Sequence, residues 1–195
     1  TGSLIFSVYQ RYITDPFIRV FDIDYSNPEY NIVNRIYQNV GSASNEGFEI
    51  IAAQDLTDYW SFSGSINWFE NEVDRYETTL LFPAPRPFFV NQSSADTWNL
   101  NLNNQINLPY EIRMQLSFTY YAERNFSQGK EAARSSLDFG LTKSAFKNRG
   151  EVVLTLTDML NKFGIRQDID GNGFKAIYEN YFESQVVSFG MRYNI

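Results

Sequence analysis

The 195-residue chain carries 23 Asp and Glu against 16 Lys and Arg, a net charge of −7, which argues against a nucleic-acid partner, since that needs a basic surface. It has neither Cys nor His, so disulfides, thiol nucleophiles, Cys- and His-ligated metal sites and Ser-His hydrolases are excluded. Aromatic residues reach 17% while mean hydropathy is −0.37, and no apolar run approaches the roughly 20 residues of a membrane-spanning helix.

Residues 1–4 lack the basic start, apolar stretch and cleavage pattern of a signal peptide, so an exported form is expected to be mature or a fragment. From there period two dominates. Leu4, Phe6 and Val8 alternate with Ser7, Tyr9 and Arg11, although Ile5 and Ile13 blur the division. Phe48, Ile50 and Ala52 lead through Leu56, Thr57 and Asp58 to Trp60, Phe62, Gly64, Ile66 and Trp68, which oppose Ser61, Ser63, Ser65 and Asn67. Trp98, Leu100, Leu102 and Ile106 face away from an amide row, Asn99, Asn101, Asn103, Gln105 and Asn107, and Asn104 breaks the apolar side once. After the turn at Leu108, Pro109 and Tyr110, the apolar Ile112, Met114, Leu116, Phe118 and Tyr120 oppose Arg113, Gln115, Ser117 and Thr119. Leu137, Phe139 and Leu141, a turn at Phe146, Lys147 and Asn148, and then Val152, Leu154 and Leu156 repeat the pattern. Residues 185–195 end it almost without error, with Val187, Phe189, Met191, Tyr193 and Ile195 on one face.

Strands of about 10 to 14 residues exceed the soluble mode of about 5 to 6 and suit a tilted bilayer crossing of about 9 to 11. Connections also alternate in length: short near 56–58, 108–110 and 146–148, long near 15–35, 74–94, 125–131 and 160–181. The expected fold is therefore all-β, an antiparallel up-and-down transmembrane β-barrel segment of about eight long strands with short periplasmic turns and long external loops. Both chain ends then lie on the periplasmic side. Negative mean hydropathy fits, because only alternate residues touch lipid.

The pattern fails between 36 and 47, where Glu46 shares the parity of Phe48, which predicts a bulge or a stretch outside the membrane. Arg113, Asp138 and Arg192 fall on the polar parity; Glu70, Lys143 and Asp158 share the apolar parity near strand ends, within reach of headgroups. Trp60, Trp68, Trp98, Tyr110, Tyr120 and Tyr193 also lie near ends, as an aromatic girdle does. Two alternatives stay open at this point: a soluble secreted β-sandwich binding module, whose core those aromatics would fill, and a complete small eight-stranded barrel with a structural role. The polar face of Ser, Thr, Asn, Gln and Gly leaves a lumen open, which favours part of a wide barrel.

Several segments resemble the C-terminal barrel of TonB-dependent outer-membrane receptors of the Bacteroidetes type. They are Asn39-Val40-Gly41-Ser42-Ala43 with Glu46-Gly47-Phe48-Glu49-Ile50, the run 136–143, the Thr157-Asp158-Met159-Leu160-Asn161 ending of 154–161, and the final strand from 183. The resemblance spans roughly 36–195, and the terminal Ile195 departs from the family's usual Phe. It implies a barrel of about 22 strands around an N-terminal plug. The implied function is uptake of a bulky nutrient (siderophore, cobalamin, glycan or peptide), released when TonB pulls on the plug. On this reading residues 1–195 are the C-terminal part of the barrel. Its partners are outer-membrane lipid, the plug and N-terminal strands of the same receptor, and TonB through the plug.

One segment suggests a metal. Asp168, Asp170, Asn172, Gly173 and Glu179 fit the Asp-x-Asp-x-Asn-Gly template of a calcium loop with Glu at the last position, so calcium is a candidate ligand there; Lys175 stands where such loops carry an apolar anchor. No other cofactor is implied. The carboxylate pairs Asp22/Asp24 and Glu70/Glu72 read as solvated loop charge; no catalytic residue is assigned, and no enzyme activity is expected. The segment 74–94, with Pro83, Pro85, Pro87, Phe82, Phe88 and Phe89, reads either as a ligand-contacting surface or as a loop folded over its neighbours.

Overall fold

The computed structural model describes residues 1–39, 41–81, 84–147 and 149–193. Val40 of the first motif, Phe82 and Pro83 of the segment 74–94, Asn148 of the last turn, and Asn194 and Ile195 lie outside the described residues.

Among the described residues there are sixteen strands and no helix. In chain order the strands are β1 (Gly2–Thr14), β2 (Phe17–Asp24), β3 (Ile32–Asn39), β4 (Ser42–Asp55), β5 (Trp60–Val73), β6 (Tyr76–Leu80), β7 (Arg86–Val90) and β8 (Ser93–Leu108). They continue with β9 (Ile112–Tyr121), β10 (Arg124–Phe126), β11 (Gly129–Glu131), β12 (Arg134–Ala145), β13 (Gly150–Thr157), β14 (Ile165–Gly171), β15 (Phe174–Asn180) and β16 (Val186–Tyr193). The expectation of about eight is corrected by the long connections, which are themselves hairpins. Strands β1, β4, β5, β8, β9, β12, β13 and β16 form one sheet in that spatial order, an antiparallel meander of the eight long segments marked by alternation.

That sheet is open. Among the described residues β1 pairs with β4 and β16 with β13, and no pairing joins β1 to β16 into a closed barrel. Its register keeps the faces distinct, because cross-strand partners share a side: Ile50 pairs with Ile66, Ile66 with Leu100 and Leu100 with Tyr120. Pairing of β1 with β4 runs from Gly2↔Gln54 to Thr14↔Ser42 without a bulge, so the broken parity near 46 is chemical and not geometric. Gly47 is required by close approach: a Cβ there would stand 2.3 Å from the Trp68 carbonyl oxygen. Two of the short turns reverse the chain with paired positive φ, 64° and 58° at Tyr110 and Glu111 and 57° at both Phe146 and Lys147, the sense that matches strand twist.

Buried apolar side chains lie elsewhere. Among the described residues they are Val20, Phe21 and Ile23 of β2, Tyr76 and Leu80 of β6, Phe88 and Val90 of β7, and Ile169 of β14. Hairpins β2–β3 and β6–β7 thus share a small core, with Ile18 and Val73 packed against it. Hairpins β10–β11 and β14–β15 join through β11 and β14 into a four-stranded sheet. The Gln128 amide links the two groups: Phe21 N–H donates to its Oε1 (2.8 Å), and its Nε2 donates to the Phe21 carbonyl (2.9 Å). The long connections therefore form a folded cap. Asp22 and Asp24 are buried in it and not solvated, Asp22 being ion-paired with Arg86 of β7. Burial of Phe88 and Val90 shows that the described part of 74–94 folds over its neighbours.

Candidate functional site

The long sheet presents two chemically opposite faces. On one, Phe6, Phe48, Trp68, Trp98 and Tyr120 make a row across β1, β4, β5, β8 and β9, with ring centroids 6.3 Å apart for Phe6–Phe48, 5.7 Å for Phe48–Trp68 and 4.8 Å for Trp98–Tyr120. Trp68 and Trp98 are cross-strand partners. Toward the short turns lie Trp60 and the edge-on pair Phe146–Tyr193 at 5.4 Å. From Trp60 to Trp68 the strand rises about 27 Å at about 3.4 Å per residue, or about 20 Å of height at a tilt of about 40°, close to the apolar band of a barrel wall. Asn104, which interrupts the apolar side of β8, accepts a hydrogen bond from the Trp60 indole (3.2 Å), which hides its polarity. Just beyond the aromatic row the same face turns acidic, with Glu46, Glu70 and Asp96 in register.

The other face is built of amides and hydroxyls that bond among themselves. Tyr9 donates to Asn67 (3.0 Å), Asn45 to Asn71 (2.5 Å) and Thr119 to Asn101 (3.2 Å). Near the short-turn end it forms a hollow of about 590 Å³ lined by Ser61, Ser63, Asn103, Gln105, Gln115 and Ser117.

At the hairpin end the polar face meets the cap in a groove of about 340 Å³. Arg19 and Tyr37 enter it from β2 and β3, Asn71 and Ser93 from β5 and β8, Arg124 and Phe126 from β10, and Gln167 from β14. Beside it Glu131 is buried, which raises its carboxyl; hydrogen bonds from Gln167 (2.8 Å) and Arg124 (3.1 Å), with the Arg124 and Arg134 charges, outweigh this and hold it below its ordinary value. Arg134 lies over the adjoining rings of Tyr121 (5.0 Å) and Phe163 (5.3 Å).

The model of the outer membrane protein beta-barrel family matches residues 1–193. The chain belongs to this family. Comparison with curated proteins and with solved structures finds no match.

As an outer-membrane β-barrel protein, the chain turns its aromatic face to lipid and its amide face to the wet interior, and the soluble sandwich is excluded. Among the charges on the apolar parity, Glu70 belongs to the acidic row and Lys143 lies in register with Ile112 and Val152 near the short-turn end. Asp158 does not reach for headgroups. It is 1% exposed and accepts from Lys162 N (3.1 Å), Phe163 N (3.2 Å) and Ser184 Oγ (2.5 Å), so the Thr157–Asn161 motif is a side-chain-capped turn after β13.

The four calcium candidates lie on hairpin β14–β15, where Asn172 and Gly173 make the reversal, with Gly173 at φ 82°. Arg166 pairs with Asp168 (3.4 Å) and Glu179 (2.8 Å), and Lys175 pairs with Asp170 (3.4 Å). A hairpin spaces these carboxylates along its length instead of wrapping them around one point, and among the described residues no group of three metal-binding side chains converges. Sequence reasoning missed Arg19, Arg124, Glu131 and Gln167 altogether. No alternation marks them, since they come together from three separate connections.

Proposed function

We propose that this chain is part of the wall of a TonB-dependent receptor that imports a bulky nutrient of the siderophore, cobalamin, glycan or peptide kind. The open eight-stranded sheet carries this reading: one face suits lipid, the other a wet lumen, and among the described residues the edges of β1 and β16 are unpaired. In hydrocarbon each unsatisfied backbone group costs several kcal/mol, so both edges need partner strands. Further strands of the same receptor supply them. A closed eight-stranded barrel is filled by side chains, whereas Ser, Asn and Gln of this face are too small and polar to pack a core. A plug then occupies the lumen and couples it to TonB; no catalytic group is assigned.

Import measured in whole cells tests the reading. Collapse of the proton gradient is expected to stop accumulation of the nutrient while surface binding persists, and the coding sequence ahead of residue 1 is expected to specify a plug and more alternating strands. Gradient-independent import by a protein without a plug would overturn it. Protease added to intact cells is expected to cut at the cap's hairpin tips and to spare 56–58, 108–110 and 146–148; the reverse map would invert the orientation.

A further inference from the structure

We propose that the groove at the hairpin end binds a sugar acid, a ligand unit with a carboxylate and hydroxyls side by side; the proposal deepens the receptor reading and relies on it for its biological role. Among the described residues lining the groove none is acidic, although acidic residues outnumber basic ones in the chain. Arg19 attracts an anion there, and the nearby Glu131 is already held by Arg124 and Gln167. Arg19 has no carboxylate partner among the described residues: it donates to the Tyr37 hydroxyl (2.8 Å), lies over that ring at 5.3 Å, and keeps a buried Nε without a partner. Gln167, 4% exposed, donates to Glu131 and leaves its Oε1 with no donor.

Two side chains that line the groove thus keep a buried atom without a partner, the Nε donor of Arg19 and the Oε1 acceptor of Gln167, which a ligand reaches by a small turn of each side chain. A simple anion satisfies Arg19 and leaves Gln167 wanting; a neutral sugar reaches both through its hydroxyls but leaves the Arg19 charge unpaired. A carboxylate beside a hydroxyl satisfies both, the first accepting from Arg19 and the second donating to Gln167. Asn71, Asn125 and Ser93 offer partners for further hydroxyls, and Phe126 gives an apolar side. At about 340 Å³ the groove is at the small end of ligand clefts, which suits a free sugar acid or the tip of an acidic glycan.

The intact protein, extracted from outer membranes in detergent, is titrated calorimetrically with galacturonate, trigalacturonate and the methyl ester of the trimer. Trigalacturonate is expected to bind about tenfold or more tighter than its ester, as one charge-assisted hydrogen bond implies. Arg19→Gln should reduce it to the level of the ester, and Gln167→Leu should weaken acid and ester alike. Galacturonate binding as tightly as the trimer assigns the site to free sugar acids, and weaker binding assigns it to glycan ends. Equal affinity for acid and ester, no binding of any probe, or an Arg19→Gln protein that binds like the parent would overturn the proposal. Circular dichroism confirms that each variant is folded, and Arg19→Lys, which keeps the charge without the fork, should retain part of the preference. Binding without energy-dependent import would sink the receptor reading and leave the groove intact; import by a protein lacking the acid preference would do the reverse.

Discussion

In the long sheet Val8, Val187 and Phe189 stand 72%, 70% and 75% exposed, whereas in the cap Val20 and Leu80 are wholly covered by other side chains. The two regions use apolar residues for different solvents. Cap hairpins shield theirs from water inside the chain, and each such side chain contributes about 1.5 to 3 kcal/mol. The sheet's apolar side chains find few partners within the chain and meet acyl tails instead. Sheet stability thus depends on the bilayer, while the cap holds itself together as a small soluble domain does.

Substitutions that act on one region alone sharpen this contrast. Leu80→Ala is expected to cost about 2 to 5 kcal/mol and to open the cap, seen as lost amide protection in β2, β6 and β7 with β5, β8 and β9 unchanged. Leu100→Arg, on the lipid side, should destabilise the protein in vesicles by about 2 to 4 kcal/mol in urea unfolding, while Asn101→Arg one residue on should leave it near neutral. Arg86→Met leaves Asp22 buried and unpaired and should cost about 3 kcal/mol, the low end for a buried pair because Arg86 is half-exposed.

Protonation offers a finer separation. Burial pushes the Tyr76 hydroxyl from 10.0 up to about 12, so the neutral ring is favoured in the folded cap. Its contribution is complete below pH 10 and fades as pH rises toward 12; cap protection should fall in that window, Tyr76→Phe should abolish the dependence, and the long sheet should not respond. Smallest of all is calcium. With Asp168, Asp170 and Glu179 already paired to Arg166 and Lys175, its addition should leave the melting temperature unchanged, and a rise abolished by Asp170→Asn would show that the hairpin rearranges around the ion.

All eight long strands were legible because alternation is imposed residue by residue, and register then follows from keeping Leu100 beside Ile66 and Tyr120. The cap was illegible for the converse reason. Its strands are short, and Val20-Phe21-Asp22-Ile23-Asp24 buries successive residues on both sides of β2, which erases period two. Asp22 and Asp158 read as surface charge because their partners, Arg86 and the backbone after residue 161, lie in other connections or in a turn. The calcium template matched in spacing, yet spacing specifies a site only on the loop geometry that curls it, and here the same residues form a hairpin.

The most direct test of the two-faced wall uses the absence of native cysteine. Single cysteines placed one at a time across β8, carrying a small fluorophore, are reconstituted in vesicles whose acyl chains bear a quencher. Quenching is expected at 100, 102 and 106 and not at 99, 101, 103, 105 or 107. Uniform quenching along the strand, or none at the apolar positions, would contradict the assignment of that face to lipid.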